Sequence, residues 1–152
     1  MKRTFHISLA GWSLHRTLGE SGGKVPNLDM PKLVSEEFGI QAIELVNQML
    51  PSDKKSYMDK LAKNAAAHNV NILLIMIDRQ GDLGTADEDA RKDAVKNHKK
   101  WMDIAADLGC HSVRTNWGGG PKDFLENKDA AKTFIQRSIP AFQALCEHGV
   151  KK

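Results

Sequence analysis

The stretch Ile72-Leu73-Leu74-Ile75-Met76-Ile77 is the longest uninterrupted run of apolar residues in the chain. A strand with one face in water alternates apolar and polar residues, whereas a parallel strand covered on both faces is apolar throughout. The run is also far too short to cross a bilayer as a helix. It therefore predicts a buried strand of a parallel sheet, and the neighbouring sequence has to supply the elements that cover it.

Helical patterns lie on both sides of this strand. Upstream, apolar residues at steps of four predict a helix from about Ser56 to His68, which ends at Asn69. Downstream, Thr85 and Glu88 have the spacing of a capping box at the start of a helix that ends at Gly109. The apolar stripe of that helix recurs at steps of three and four: Ala90, Ala94, His98, Trp101, Ala105 and Leu108.

The same alternation of strand and helix extends over the whole chain. Further strands are predicted at Phe5–Ala10, Ala42–Val46 and His111–Thr115. Another helix has Asp29 as its N-cap and Pro31 in its first turn and ends at Gly39. A last helix runs from near Asp129 to Gly149, and Pro140 is expected to kink it or split it in two. Four consecutive βα units without a low-complexity linker predict one α/β domain over residues 1–152.

Two folds have this order of elements, the doubly wound sheet and the TIM barrel. A doubly wound sheet can be complete with four or five strands, whereas a barrel needs eight βα units. The glycine fingerprints G-x-G-x-x-G and G-x-x-x-x-G-K-[ST] do not occur, so the nucleotide-binding versions of the doubly wound fold lose support. The pattern of elements alone leaves the choice open.

Composition limits the classes of function. The chain has 41% hydrophobic and 27% charged residues and a net charge of +3, which is typical of a folded domain. The basic residues are mixed with acidic ones, so we expect no nucleic acid and no membrane as a partner. Cys110 and Cys146 have no metal or disulfide spacing and are expected to be buried free thiols. We expect a cytoplasmic protein.

Four segments together resemble the sugar phosphate isomerase/epimerase family, whose fold is the xylose isomerase-like TIM barrel. The resemblance lies in the order and spacing of these segments, and it spans nearly the whole chain. They are residues 7–15 (Ile-Ser-Leu-Ala-Gly-Trp-Ser-Leu-His), residues 42–46 (Ala-Ile-Glu-Leu-Val), residues 75–83 from Ile-Met-Ile-Asp to Gly-Asp-Leu, and residues 98–116 from His-Lys-Lys-Trp to Arg-Thr-Asn.

The resemblance implies half of a TIM barrel, with four βα units and a parallel sheet in the order 1-2-3-4. Members of the family bind a divalent metal, often manganese, through ligands at the ends of strands five to eight. Helix four ends at Gly149 and the sequence at Lys152. We therefore expect no metal site and no cofactor in this chain. An isomerase or epimerase of a small sugar or polyol is implied, inactive in this form and with its metal expected only in a full-length relative.

Active sites of TIM barrels form at the carboxyl ends of the strands. This rule selects substrate-binding candidates at the ends of strands one, two and four: Trp12, His15, Glu44, Asn47, Asn116 and Trp117. Trp12 either lines the pocket or packs as a cap on the barrel. His15 either binds a substrate hydroxyl or lies on a solvated loop. Glu44 interrupts an apolar strand, where an unpaired carboxylate is costly, which favours a functional or hydrogen-bonded role.

Three further features have a structural explanation that we favour over a functional one. Asp78 follows strand three and either belongs to the site or starts the turn at Gly81. His98 belongs to an apolar stripe, which is typical of a packing histidine. The run Gly118-Gly119-Gly120 could bind a phosphate through backbone N–H groups, but a permissive turn is the simpler interpretation.

Two other functions remain open. An endonuclease IV-like nuclease would have metal-binding histidines at early strand ends, whereas this chain has Asn47-Gln48 and Asp78-Arg79 there. A non-catalytic half-barrel would bind a partner or self-associate, because strands one and four would be unpaired edges.

Overall fold

The computed structural model describes residues 6–18 and 23–152. Within these ranges the strands are β1 (Leu9–Ala10), β2 (Ala42–Val46), β3 (Asn71–Ile77) and β4 (Ser112–Thr115). The α-helices are α1 (His15–Leu18), α2 (Met30–Phe38), α3 (Lys55–Ala67), α4 (Glu88–Asp107) and α5 (Lys128–Gly149). Single turns of 3-10 helix occupy Gly11–Leu14, Asn27–Asp29 and Asn47–Met49.

The described strands form one parallel sheet in the order β1-β2-β3-β4. Leu9 pairs with Ile43, and Ile43 pairs in turn with Ile72. The register shifts between Ile43 and Glu44, so that Glu44 pairs with Leu74. The α/β class and the sheet order predicted from the sequence are confirmed, and the arrangement is consistent with a partial TIM barrel.

The two faces of β2 differ in burial. Ile43 and Leu45 are fully buried, at 0% and 1% exposure. Glu44 lies between them, is half-buried and points to the opposite face, because successive side chains of a strand alternate. Val46 shares the face of Glu44 and is buried, so the half-buried carboxylate of Glu44 lies on a face that is only partly exposed.

The chain forms two compact units, which are described separately. The first contains the described residues up to Met76 together with Ile104–Arg114, and the second contains Ile77–Asp103 and Thr115–Lys152. The core of the second unit includes Leu83, Ala94, Ala141 and Leu145. The single-domain assignment stays a prediction.

The capping box predicted for α4 is wrong, and one of the two alternatives predicted for Pro140 in α5 is excluded. Asp87, and not Thr85, caps α4, because its Oδ1 atom accepts hydrogen bonds from the N–H groups of Asp89 and Ala90. The helix begins at Glu88, so Asp87 occupies the N-cap position and its side chain reaches the N–H groups two and three residues further on, whereas Thr85 lies too far from the first turn. Pro140 does not split the last helix, since α5 continues through it.

The remaining differences are small. Strand one is shorter than predicted, since β1 contains only Leu9–Ala10, and Phe5 lies outside the described residues. Burial raises the pKa of the half-buried Cys110 thiol to about 11. The expectation of burial is wrong for Cys146, which is exposed on α5. No helix in residues 6–18 and 23–152 combines the length and the apolar character that a membrane span requires.

In the second unit, a carboxylate links α4 to the end of the chain. Asp103 Oδ1 accepts hydrogen bonds from Lys152 Nζ at 2.8 Å and from His148 Nε2 at 2.7 Å. Lys152 is the main cause of a lowered pKa of Asp103, His148 lowers it further, and burial acts in the opposite direction. The carboxylate form therefore stabilises the folded state.

We predict an acid-dependent stability from this cluster. Because the folded pKa of Asp103 lies below the ordinary value of about 3.9, the stabilisation is present above that value and is lost as the pH falls through the folded pKa. Asp103→Asn should lower the free energy of unfolding at pH 7 by less than about 1 kcal/mol, since the pair is partly exposed. Urea unfolding at pH 7 and pH 3 checks this, with the exposed Asp93→Asn as control. A deficit of Asp103→Asn that persists at pH 3 would contradict the assignment.

Candidate functional site

In the first unit, a hydroxyl just before β1 meets a carboxylate in the middle of β2. Ser8 Oγ donates a hydrogen bond of 2.6 Å to Glu44 Oε1, and Ala10 pairs with Glu44 in the sheet. The carboxylate is half-buried and keeps further acceptor capacity, because each oxygen carries two lone pairs. The pair can therefore accept hydrogen bonds from the hydroxyl groups of a ligand while Ser8 fixes its orientation.

Trp12 and His15 follow β1 directly. Trp12 lies in the 3-10 turn Gly11–Leu14 and is 37% exposed. His15 is exposed, and its Nδ1 atom donates to the carbonyl oxygen of Trp12 at 2.8 Å. The two rings lie 6.4 Å apart at a tilted angle. Both side chains are accessible from the solvent at the carboxyl end of β1, as a role in binding requires.

Asn47 lies deeper than the other candidates. It begins the 3-10 turn after β2 and is only 3% exposed. The turn is held by Asn27, whose Nδ2 atom donates to the carbonyl oxygen of Met49 at 2.8 Å. In this structure a ligand could reach Asn47 only after a local rearrangement, whereas Glu44 needs none.

In the second unit, an amide and a carboxylate meet after β3 and β4. Asp78 follows β3 and is 6% exposed, while Asn116 follows β4 and is exposed. Asn116 Nδ2 donates a hydrogen bond of 2.7 Å to Asp78 Oδ1. Of the two roles considered for Asp78, this contact supports membership of the strand-end group. The Asn116 oxygen and its second N–H are left for other partners.

Trp117 belongs to an aromatic cluster. Its ring stacks on Phe134 with a centroid distance of 4.5 Å and meets the edges of Phe124 and Phe142 at 6.3 and 6.1 Å. It remains 39% exposed. Packing therefore orients the indole, and one part of it stays accessible.

The glycine run after Trp117 is explained by loop packing. Gly118 and Gly119 have positive φ angles of 66° and 71°, which favour glycine. A Cβ atom at Gly118 would collide with the Asp82 side chain, and one at Gly119 would collide with the backbone of Gly84 and Thr85. The geometry supports a permissive turn over a phosphate-binding loop.

His98 and the acidic residues provide a test of metal binding. His98 is 2% exposed, its Nδ1 atom lies 2.7 Å from the Ala94 carbonyl oxygen, and burial lowers its pKa. Among the described residues, no three His, Cys, Asp or Glu side chains lie close enough together to hold a metal ion. The side chains in these ranges therefore do not fit the divalent metal that the resemblance implies, and the roles assigned below use none.

Sequence reasoning missed two contributors. Ser8 was not selected, although it lies two residues before Ala10 and therefore shares its face of the strand, next to Glu44. Arg137 was also missed, and it contacts two strand-end loops from α5. The alternation of faces could have revealed Ser8, whereas no local signal marks Arg137.

Comparison with known proteins relates the chain to one protein family. A family model described as xylose isomerase-like TIM barrel matches residues 33–152. None of the curated proteins matches the sequence.

Solved structures share the fold at low sequence identity. A Rhodospirillum rubrum protein provisionally named a xylose isomerase is 10% identical, with a TM-score of 0.77 over 97% of this chain and 51% of that one. D-psicose 3-epimerase from Clostridium cellulolyticum H10, solved with D-tagatose, is 14% identical, with a TM-score of 0.65 over 93% of this chain and 49% of that one. The chain thus spans about half the length of these structures. With the family model matching most of its residues, the chain belongs to the xylose isomerase-like TIM barrel family.

Proposed function

We propose that this chain contributes the substrate-binding surface of an isomerase or epimerase that acts on a small sugar or polyol. The observation that carries the proposal is the half-buried Glu44 carboxylate in the middle of β2, which Ser8 orients from the residue before β1 in a chain of this family. The hydrogen bond from Ser8 offsets the cost of burying part of this carboxylate, and the acceptor sites that Ser8 does not use can accept hydrogen bonds from a ligand.

The chemistry of the strand ends suits a polyol. Each hydroxyl group of a sugar donates one hydrogen bond and accepts others. In the first unit the Glu44 carboxylate can accept, and in the second unit the Asp78 carboxylate can accept while the Asn116 amide does both. Exposed indole rings such as those of Trp12 and Trp117 can cover the apolar C–H face of a sugar ring. The epimerase among the structural neighbours was solved with a ketose, which is the class of ligand that we propose here.

Binding should depend on named side chains. We predict that Glu44→Gln weakens the affinity for a ketose or polyol about tenfold and Asn116→Ala about fivefold, because a hydrogen bond to a charged group contributes roughly 1.5 kcal/mol and one to a neutral amide roughly 1 kcal/mol. Calorimetric titration against a panel of ketoses and polyols measures this. The exposed Glu36→Gln and Gln136→Ala are matched controls and should bind as the unaltered chain does.

Two outcomes would contradict the proposal, one its substrate class and the other the location of its binding site. If no sugar or polyol of the panel binds with saturation, the proposed substrate class is wrong. If a ligand binds but Glu44→Gln and Asn116→Ala retain full affinity, the binding site lies elsewhere in the chain.

A non-catalytic, self-associating half-barrel is the second candidate. The observation that favours it is a mainly apolar groove on the second unit, lined by Trp117, Ile135, Ser138, Ile139, Phe142, Gln143 and Cys146. Such patches are typical of protein contacts. Light scattering of the titrated samples separates the two candidates. A dimer that binds no polyol supports the self-associating half-barrel, whereas a monomer that binds a polyol supports the substrate-binding surface.

A further inference from the structure

Two loops of the second unit run side by side. The first follows β3 and leads into α4, and the second follows β4 and leads into α5. The Asn116–Asp78 hydrogen bond joins their beginnings. One step further on, the N–H of Leu83 donates to the carbonyl oxygen of Trp117 at 3.0 Å. The position of Asn116 relative to Asp78 therefore depends on how these two loops are held together.

The contact between the loops is close enough to require glycine. Gly118 faces Asp82, and Gly119 faces the backbone of Gly84 and Thr85, with no room for a Cβ atom at either position. Backbone carbonyl groups at such a contact need donors, because a buried acceptor without a hydrogen bond is costly.

Arg137 supplies those donors to both loops at once. From α5, its Nε atom donates to the carbonyl oxygen of Gly84 at 2.6 Å. Its Nη2 atom donates to the carbonyl oxygen of Gly119 at 3.0 Å. The guanidinium carbon lies 5.3 Å from the centre of the Phe134 ring, which stacks on Trp117. Arg137 thus joins the loop after β3, the loop after β4 and the aromatic cluster.

Only a guanidinium group fits this arrangement. Its N–H groups lie in one plane with fixed directions, so two of them can bind carbonyl oxygens on separate segments without loss of geometry. A lysine ammonium carries its donors on a single atom and cannot span both carbonyls in the same way. The positive charge also strengthens each hydrogen bond relative to a neutral donor.

We propose that Arg137 is a positioning residue, which holds the two strand-end loops so that Asp78 and Asn116 are paired before a ligand arrives. The inference rests on the proposed function only for the identity of the ligand, since the loop contacts are properties of the free protein. A preorganised pair binds more tightly because the loops lose less conformational freedom on binding.

The experiment compares Arg137→Met and Arg137→Lys with Arg91→Met in the full chain. Arg91 is the matched control, because its guanidinium donates to the Thr85 carbonyl of the first loop and removal causes the same loss of charge. Three quantities are measured: hydrogen exchange of the Leu83 amide, the NMR resonance of the Asn116 side-chain amide, and the affinity for the ketose that binds best in the panel.

We expect Arg137→Met to keep its far-ultraviolet circular dichroism while Leu83 exchanges about tenfold faster, in line with loss of a charge-assisted contact. The Asn116 amide resonance should shift towards its value in an unfolded peptide, and ketose affinity should fall. Arg137→Lys should restore these quantities in part. Arg91→Met should leave the Asn116 resonance and the Leu83 exchange rate unchanged.

The inference is overturned if Arg137→Met leaves the Leu83 exchange rate and the Asn116 resonance as they are in the unaltered chain. Should Arg137→Met fail to fold, Arg137→Lys decides, and wild-type values of both quantities in that variant overturn the inference. If both quantities respond but the unaltered chain binds no ketose, the proposed function fails while the role of Arg137 stands.

Discussion

Turnover of a ketose by the 152-residue chain alone, with manganese supplied, is expected to stay at background. Isomerisation and epimerisation require a polarised carbonyl group and groups that move a proton at the neighbouring carbon. General acid–base catalysis alone contributes roughly 10²–10⁴-fold, so a surface without these groups loses at least that factor. By the family resemblance, both functions belong to strands five to eight, and the described sheet has four strands.

The carboxylates of the described strand ends are suited to binding. Glu44 accepts a hydrogen bond from Ser8, and Asp78 accepts one from Asn116. Each carboxylate has a neutral partner that orients it, which is what recognition of a hydroxyl group needs. We therefore assign them to positioning the substrate.

Hydrogen–deuterium exchange at the sugar carbon, measured across a panel of ketoses, tests this prediction. Addition of a polypeptide with strands five to eight of the family fold should restore metal binding and exchange together. In that complex, Glu44→Gln and Asn116→Ala should weaken substrate binding and leave manganese affinity unchanged. Metal-dependent exchange by the 152-residue chain alone would show that the catalytic groups lie within it.

Gly119→Ala is expected to cause a large loss of stability. Its φ angle of 71° disfavours any L side chain, and a Cβ atom would lie 2.5 Å from the Thr85 nitrogen and 2.8 Å from the Gly84 carbonyl carbon. The backbone penalty is roughly 1–2 kcal/mol. The collision with backbone, which cannot rotate away, should raise the total to about 3 kcal/mol.

Gly39→Ala is the matched control. Gly39 has a similar φ angle of 63°, but a Cβ atom there would meet nothing within 4 Å. Its substitution should therefore show the backbone penalty alone, about 1 kcal/mol. Urea unfolding of both variants measures the difference, and equal losses would contradict the close contact between the loops.

The elements of the fold follow from local signals. The uninterrupted apolar run before Asp78 becomes β3, and the bounds of β2 are those predicted. Gly39 and Asn69 end their helices with positive φ angles, as the predicted stops require. Such signals depend on residues that are close together in the chain, so they can be recognised from the sequence alone. The family resemblance then selected the barrel, which local patterns had left open.

The side-chain pairs of the candidate site depend on non-local geometry. Ser8 and Glu44 are 36 residues apart, and Asp78 and Asn116 are 38 apart. Each pairing depends on the register of the sheet, including the shift beside Glu44, and no local pattern encodes a register between parallel strands. Arg137 lies 53 residues from Gly84, which explains why its contacts emerge only from the structure.

The most direct test of the central claim is an NMR titration of the ¹⁵N-labelled chain with the panel of ketoses and polyols. The account predicts saturable shifts at Glu44, at Asn116 and its side-chain amide, and at the indole N–H groups of Trp12 and Trp117, while α2 and α3 remain unchanged. A titration without saturable shifts, or with shifts confined to residues away from the strand ends, would contradict the assignment of this surface to sugar binding.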